Sequence, residues 1–207
     1  MNILVTGGAG FIGSHLVDTL VEAGHDVTVL DDLSSGRKEY VNQAARFCQG
    51  DVRDMEALDR LFAGTAFDVV FHGADKTQAP CSMLHPREEA DVSILGLINV
   101  LEHCRRHDVK KILLSSSAAV YGNQEKGLAD ETAPVQPQSF YGLTKAAAEA
   151  YAALYHRMYG LPYAVLRYAN VYGERQGSGT EDGVVSLFSR ALAAGNPMTI
   201  YGDGNQS

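Results

Sequence analysis

The chain of 207 residues has few cysteines, few basic residues and no long apolar run. Its three cysteines, Cys48, Cys81 and Cys104, are scattered and form no C-x-x-C pair, which favours free thiols and a reducing compartment. A net charge of −8 without a Lys/Arg cluster disfavours nucleic acid as a partner. Because the sequence has neither a run of about 18 apolar residues nor a signal-like start, we expect no membrane span and a cytoplasmic location.

A metal site is not expected either. His103, Cys104 and His107 are close in sequence, and positions 103 and 107 share one face of a predicted helix. The stretch EHCRRHDVK falls at the end of that helix, where His and Arg side chains complement the helix dipole. We therefore interpret these residues as a helix terminus and predict no metal ligands.

Apolar runs alternate with helical patterns along the chain. We predict strands at 2–6, 26–30, 46–48, 67–71, 111–115 and 163–167, with helices from Ser14, over 55–63, over 86–107 and around Tyr141. Strands and helices that alternate in this way require right-handed crossovers, so the predicted fold class is α/β with a doubly wound parallel sheet. A shift to Gly, Ser, Glu and Asp separates a first domain, 1–172, from the start of a smaller lobe, 173–207. In this lobe we expect a helix over 184–194 and a short strand over 199–201.

A glycine-rich turn follows the first predicted strand. Gly7, Gly10 and Gly13 have a G-x-x-G-x-x-G spacing between an apolar run and a helical pattern. Strand, glycine turn and helix N-terminus together form the usual site of a dinucleotide pyrophosphate, because the backbone N–H groups come close to the phosphates. We therefore predict a dinucleotide cofactor rather than a glycine turn without a ligand.

Two aspartates end the second predicted strand. Asp31 and Asp32 stand where an acidic side chain accepts hydrogen bonds from the adenosine ribose and repels a 2′-phosphate. This position favours NAD over NADP. The alternative is that DDLSSGR is a polar turn in which Arg37 holds a phosphate.

The predicted chemistry centres on Tyr141-Gly-Leu-Thr-Lys145. The tyrosine and the lysine are four positions apart in a helical pattern, so their side chains project from one face of the helix. A nearby ammonium favours the phenolate, the form that acts as a general base. The serine run 115–117 ends the fifth predicted strand, at the edge of a parallel sheet where ligands bind. The Y-x-x-x-K pair alone is common on helices without catalytic roles, so the rest of the chain has to support it.

Seven stretches, taken together, resemble one family. They are TGGAGFIGSH, DDLSSGR, GDVRD, SSSAAVYG, YGLTK, LRYANVYG and IYGDGNQ. In this order they resemble the extended short-chain dehydrogenase/reductases and, within them, the nucleotide-sugar branch with its UDP-glucose 4-epimerases. The resemblance implies a Rossmann fold, bound NAD and an isomerase that interconverts UDP-glucose and UDP-galactose through a transient 4-keto sugar.

The resemblance also implies residue roles. Tyr141 would be the base, Lys145 would bind the nicotinamide ribose, and Ser117 would hydrogen-bond the reacting sugar hydroxyl. Asn170 would hold the substrate phosphates, so the implied substrate-binding residues are Ser117, Tyr141 and Asn170. The implied cofactor-binding residues are Gly7, Gly10, Phe11, Ile12, Gly13, Asp31, Asp32, Asp51, Val52, Ala74, Ser115, Tyr141, Lys145 and Tyr168. Among them the three glycines would hold the pyrophosphate, Asp31 the ribose, and Asp51 and Val52 would flank the adenine.

Ala118 and Ala119 separate this chain from neighbouring branches of the family. Sugar 4,6-dehydratases and UDP-glucuronate decarboxylases carry carboxylates at these positions, and alanine cannot act as an acid or a base. Two other positions depart from the family pattern. Asp75 would put a charge near the nicotinamide, and Ser93 stands where asparagine is common. The family continues beyond IYGDGNQ into a substrate lobe, so we expect these 207 residues to fold and bind NAD with weak or absent turnover.

Two other functions stay open. One is an epimerase of the same branch that acts on UDP-glucuronate or a UDP-N-acetylhexosamine. The other is a non-catalytic NAD-binding regulator, against which Tyr141 and Lys145 argue. The expected partners are a UDP-sugar and a second copy of the chain, because the family commonly dimerises through the helix at 86–107 and the helix that bears Tyr141. The alanines of the latter helix would permit close helix packing.

Overall fold

The structure is a computed structural model that describes residues 1–75, 79–123, 129–177, 183–200 and 202–204, without the side chains of 79–81. Within these residues six parallel strands form one sheet in the order β3-β2-β1-β4-β5-β6. The strands are β1 (Asn2–Thr6), β2 (Asp26–Asp31), β3 (Arg46–Gln49), β4 (Val69–His72), β5 (Lys111–Ser117) and β6 (Tyr163–Tyr168). The strand order reverses between β1 and β4, and ligands of such sheets bind at the carboxyl ends of the strands beside this point. The predicted doubly wound α/β sheet is confirmed.

Among the described residues, seven α-helices lie between or after the strands, and capping residues mark the ends of two of them. They are α1 (Phe11–Glu22), α2 (Met55–Gly64), α3 (Ala79–Leu84), α4 (Pro86–Ala90), α5 (Leu97–Arg106), α6 (Phe140–Tyr159) and α7 (Val184–Ala193). Asp54 caps α2 by accepting the Ala57 N–H at 3.1 Å. Ser139 caps α6 through the Gly142 N–H at 3.0 Å, and Gly160, with φ of 74°, ends α6 in the left-handed region.

A π-helical turn, Asp91–Gly96, joins α4 to α5 in place of the uniform helix predicted over 86–107. Ala90 and Leu97 keep α-helical dihedrals on either side, so the helix axis continues through the turn. Gly96 packs against Val52, where an added Cβ would lie 2.5 Å from a valine methyl. Such turns are frequent at functional positions, and this one carries Ser93, which contacts the site described below.

Buried aliphatic side chains pack on both faces of the sheet. One cluster joins α2, α5 and α6 to the sheet around Leu58, Leu101 and Ile112, and the other packs α1 on β1 and β2 around Val17. This packing holds the carboxyl ends of the strands in register, with Thr6 beside His72 and Ser117 beside Tyr168. Among the described residues no helix is long and apolar enough to cross a bilayer.

The chain divides into two compact units, Met1–Ala169 and Asn170–Ser207. The sequence predicted the division three residues later, between 172 and 173. The helix predicted in the second part is present as α7. The predicted short strand is wrong at Thr199 and Ile200, which lie in no regular element, and Tyr201 is outside the described residues. A strand needs a neighbour to complete its hydrogen bonds, and no strand among the described residues pairs with these two.

Candidate active site

Gly7, in the turn between β1 and α1, and Gly13, in the first turn of α1, have no room for a side chain. Gly7 has φ of 74°, and a Cβ there would lie 2.6 Å from the Gly73 oxygen. A Cβ on Gly13 would overlap the Gly7 oxygen and lie 2.9 Å from Gly8 Cα. Gly10, the N-cap of α1, has no side chain with which to cap the helix. The first N–H groups of α1, which include those of Phe11 and Ile12, therefore line a narrow backbone cradle that fits a pyrophosphate.

Asp31, at the end of β2, lies beside this cradle. Its two carboxylate oxygens accept the N–H groups of Ala9 and Leu33, both at 2.9 Å, and the side chain is buried. Asp32 is exposed and accepts the Ser34 N–H at 2.8 Å. Of the two predicted ribose ligands, Asp31 is therefore the one held against the glycine turn.

Arg37, which could hold a phosphate instead, and the two predicted adenine contacts, Asp51 and Val52, lie in different places and have different partners. The Arg37 guanidinium lies 3.6 Å from Glu39 on the surface, while its backbone N–H donates to the Ala9 oxygen at 2.9 Å. Asp51 forms an ion pair with Arg53 at 2.6 Å. The Val52 side chain lies in the core. The structure therefore puts a carboxylate and a buried valine at the two positions assigned to adenine.

Thr6 and His72 organise the ends of β1 and β4, a role that the sequence did not reveal. Thr6 Oγ1 accepts the N–H groups of Gly73 and Ala74, both at 3.2 Å, and lies 3.0 Å from His72 Nδ1. Since Thr6 Oγ1 already accepts two bonds, its own proton is directed to the imidazole. Burial lowers the pKa of His72 to about 4, so the ring is neutral at pH 7. This network fixes the backbone around Ala74, a predicted cofactor contact.

Helix α6 brings Lys145 to the carboxyl end of β5. The Lys145 ammonium donates to the Ser115 oxygen at 2.8 Å and forms an ion pair with Asp75. It also lies 5.7 Å from the centre of the Tyr141 ring. Burial by itself lowers the pKa of Lys145, but the charge and hydrogen bond of Asp75, together with the negative charges of Tyr141 and Glu89, outweigh this effect, and the pKa lies above its ordinary value. The predicted Tyr–Lys pair therefore does lie at the sheet edge.

Ser117 ends β5 and begins a single turn of 3₁₀ helix, Ala118–Tyr121. Its Oγ accepts the Ala119 N–H at 3.1 Å. Tyr168, another predicted cofactor contact, is its neighbour on β6. Asn170 is exposed and belongs to the second compact unit. The structure thus brings Ser115, Ser117, Tyr141, Lys145 and Tyr168 to one edge of the sheet.

A buried polar cluster adjoins Lys145. Ser93 Oγ donates to Asp75, and it lies 3.3 Å from Glu89 Oε1. Thr144 Oγ1 lies 3.0 Å from the same Glu89 oxygen. Burial and the charge of Asp75 raise the pKa of Glu89. Sequence reasoning singled out Asp75 and Ser93 but missed Glu89, because Glu89 stands in PREEADVS among acids that look solvent-facing.

The histidines weighed as metal ligands have structural partners. His103 is buried, with Nδ1 at 2.7 Å from the Asn99 oxygen and Nε2 at 3.0 Å from Asp59. Its ring stacks on His107 at 6.3 Å. In the part of the chain that the structure describes, no group of three or more His, Cys, Asp or Glu residues is placed to hold a metal ion.

A backbone cradle between β1 and α1, combined with a serine, a tyrosine and a lysine at the end of β5, is the arrangement of short-chain dehydrogenase/reductases. Comparison with known proteins agrees with this class. Residues 3–207 match the model of the NAD dependent epimerase/dehydratase family, and the chain belongs to that family.

Individual relatives narrow the class to nucleotide-sugar epimerases. A putative UDP-glucose 4-epimerase of Methanocaldococcus jannaschii is 46% identical over 206 residues, covering 99% of this chain and 67% of the relative. The structure of a Thermotoga maritima UDP-glucose 4-epimerase with UDP-glucose superposes with a TM-score of 0.95, at 43% identity over 99% of this chain and 67% of that one. A UDP-N-acetylglucosamine 4-epimerase of Methanobrevibacter ruminantium, in complex with UDP-N-acetylmuramic acid, gives 0.91 at 36% identity, over 99% and 66%. The chain thus spans about two thirds of the length of these relatives.

Proposed function

We propose that the chain binds NAD and supplies the cofactor and catalytic residues of a nucleotide-sugar epimerase that interconverts UDP-glucose and UDP-galactose. The observation that carries this proposal is the position of Lys145, bonded to the Ser115 oxygen at 2.8 Å and 5.7 Å from the Tyr141 ring. A phenol and a buried ammonium on one helix, beside a serine that ends the neighbouring strand, form a proton-transfer site. The names and structures of the relatives support the same function.

Each residue of the site has a separate task. The cradle of Gly7, Gly10 and Gly13 holds the pyrophosphate, and Asp31 accepts from the adenosine ribose. When bound, NAD supplies reversible hydride transfer at C4 of the sugar. Tyr141 takes the proton of the 4-hydroxyl and returns it after the keto sugar has turned. Lys145 stabilises the phenolate and binds the nicotinamide ribose.

Ser117 donates to the reacting sugar oxygen. Its Oγ already accepts the Ala119 N–H, so the hydroxyl proton is the group that remains to be given to substrate. Ala118 and Ala119 follow directly in the 3₁₀ turn. Neither can transfer a proton, so the site lacks the carboxylates with which related dehydratases eliminate water. Epimerisation is therefore favoured over elimination.

The sugar is proposed as a glucose and galactose pair because of the relatives' names. A UDP-N-acetylhexosamine is the second candidate, since one similar structure is a UDP-N-acetylglucosamine 4-epimerase. UDP-glucuronate is a third sugar to assay. The buried Lys145 and its neighbour Tyr141 disfavour a regulator without catalysis, because a regulator has no need of a phenol beside an ammonium.

Proton NMR of UDP-galactose with the protein and NAD tests this function. We expect an anomeric signal of UDP-glucose from a chain that continues these 207 residues with the remaining third of the Methanocaldococcus relative, and weak or no conversion by the 207 residues alone. Tyr141→Phe should abolish conversion in the extended chain. Conversion of N-acetylated sugars or UDP-glucuronate alone would replace the proposed substrate, and full activity of Tyr141→Phe would exclude the proposed base.

We also propose a homodimer through α5 and α6. Tyr155 of α6 donates to Glu102 of α5 at 2.7 Å, so the two helices are adjacent. Leu143, Leu154 and Met158 form an exposed apolar stripe along α6. Light scattering should give a dimer mass for the parent and a monomer mass for Met158→Glu. Val135→Glu, an exposed position outside these helices, is the control and should stay dimeric.

A further inference from the structure

Two partners from different strands hold the Lys145 ammonium. One is the backbone oxygen of Ser115 on β5, at 2.8 Å. The other is the carboxylate of Asp75, three residues beyond the end of β4. An ammonium has three N–H groups. Among the contacts of the described residues these two partners take two of them, which leaves one for a ligand at the sheet edge.

The Asp75 carboxylate is itself held in place. Ser93, in the π-helical turn, donates to one of its oxygens. Ser93 and Thr144 both contact Glu89 Oε1, and Thr144 also donates to the Tyr141 backbone oxygen at 2.9 Å. The side chains of Ser93, Thr144 and Glu89 are buried, and that of Asp75 is nearly so. The cluster therefore ties the end of β4 to the π turn and to the helix that carries the Tyr–Lys pair.

The protons available among the described contacts favour a neutral Glu89 and a charged Asp75. Ser93 and Thr144 have one hydroxyl proton each, but their oxygens make four contacts with acceptors. A protonated Glu89 can donate a hydrogen bond in one of these contacts. An ionised Glu89 would instead be repelled by the Asp75 carboxylate in the same buried space. Asp75 is then the counter-ion that faces the ammonium directly.

We propose that Asp75 is a positioning residue for Lys145. It keeps the lysine charged despite burial and directs the remaining N–H toward the nicotinamide ribose. This inference rests on the proposed function for the identity of that ligand, but the pairing itself needs neither sugar nor cofactor. Without Asp75 the ammonium would be a buried cation whose remaining hydrogen-bond partner, among the described residues, is a carbonyl oxygen.

NMR of the cofactor-free chain with ¹⁵N-labelled lysine tests the pairing. Lys145 is one of six lysines and is assigned with Lys145→Met. We expect Lys145 of the parent to titrate above the ordinary value of about 10.4. A lower value in the parent would overturn the proposal without any variant, because burial alone lowers the pKa of a lysine.

Three substitutions then separate Asp75 from other acids. Asp75→Asn keeps the shape and should lower the pKa of Lys145. Glu89→Gln, in the same cluster, should lower it less, because Glu89 does not contact the ammonium. Asp68→Asn breaks a surface ion pair with Lys110 and should leave Lys145 unchanged. Equal effects of Asp75→Asn and Asp68→Asn would refute the pairing.

Calorimetry with NAD tests the link to the cofactor. Asp75→Asn should weaken NAD binding about tenfold, the effect of losing one charge-assisted hydrogen bond. A lowered Lys145 pKa with unchanged NAD affinity would keep the counter-ion but reject its role toward the ribose. If the parent binds NAD but the extended chain converts no sugar, the proposed epimerase fails while this inference stands.

Discussion

Arg167 on β6 and Glu149 on α6 form a two-point ion pair. The guanidinium donates from Nε to Oε1 at 2.9 Å and from Nη2 to Oε2 at 2.7 Å. Ser116 Oγ donates to the same Glu149 at 2.6 Å, and Arg167 Nη1 donates to the Tyr121 hydroxyl at 2.7 Å. Ser116 precedes Ser117 in β5. The Arg167–Glu149 ion pair therefore helps to hold in place the strand end that carries the proposed catalytic serine.

Arg167→Lys should destabilise the protein although it keeps the charge. A lysine cannot reproduce the two parallel bonds, and we expect the free energy of unfolding to fall by about 1–2 kcal/mol. Arg167→Met should lower the free energy of unfolding by about 3 kcal/mol, because it leaves the largely buried Glu149 carboxylate without its cationic partner. Urea unfolding followed by circular dichroism measures both. Arg60→Met, which removes an exposed pair with Glu56 at 3.8 Å, should cost less than about 0.5 kcal/mol, and an equal loss there would contradict the argument.

Gly13→Ala should weaken both the fold and NAD binding. The new Cβ would overlap the Gly7 oxygen, a backbone atom that cannot move without disturbing the turn. We expect a loss of about 1–3 kcal/mol in unfolding free energy and a clear drop in NAD affinity. Gly64→Ala is the matched control, because a Cβ there meets nothing within 4 Å. It should be neutral or slightly stabilising. Similar thermal midpoints for the two variants would rule out the crowding.

Stability should fall as the pH is lowered from about 6.5 toward 4, in part because of His72. Burial lowers the pKa of this histidine from 6.5 to about 4 in the folded chain. Between these pH values His72 therefore binds a proton in the unfolded chain but not in the folded chain. As a result, His72 adds about 3 kcal/mol to the free energy of unfolding above pH 6.5, and this contribution is lost as the pH falls to 4. His72→Gln should flatten the curve of unfolding free energy against pH. An unchanged slope would show that His72 is not the source.

Asp31→Asn should reduce the preference for NAD over NADP. The two Asp31 oxygens each accept one backbone N–H, and an amide offers only one acceptor oxygen. Removing the charge also removes the repulsion of a 2′-phosphate. Calorimetric titration with both nucleotides should show weaker NAD binding and a smaller ratio between the two affinities. Asp26→Asn, at the opposite end of the same strand, should leave the ratio as it is.

Elements with a strong local pattern were predicted closely, and their ends less so. α1 begins at Phe11 rather than Ser14, because Gly10 is the residue that starts the helix. β5 continues to Ser117, since pairing with Tyr168 of β6 extends it beyond the apolar run. The short helix α3 was not predicted. Strand ends and short helices depend on neighbours more than on their own sequence.

The residues of the candidate site were predicted from the sequence, but their partners were not. The glycine turn, Asp31 and the Tyr141–Lys145 pair were readable from the sequence, because each depends on spacing within one strand, turn or helix. The partners of these residues were not. Thr6 with His72, and Asp75 with Lys145, are pairs formed by strands and helices that meet only when the sheet is assembled.

The sequence by itself determined the order of strands and helices along the chain, the glycine cradle and the face of α6 that carries Tyr141 and Lys145. These features follow from side-chain periodicity and from the backbone freedom of glycine, which act over a few residues. Only the tertiary structure decided that Glu89 is buried and that Asp75 pairs with Lys145. Those outcomes depend on how strand order and a π-helical turn bring distant polar groups into one space with little water, where each group must find a partner.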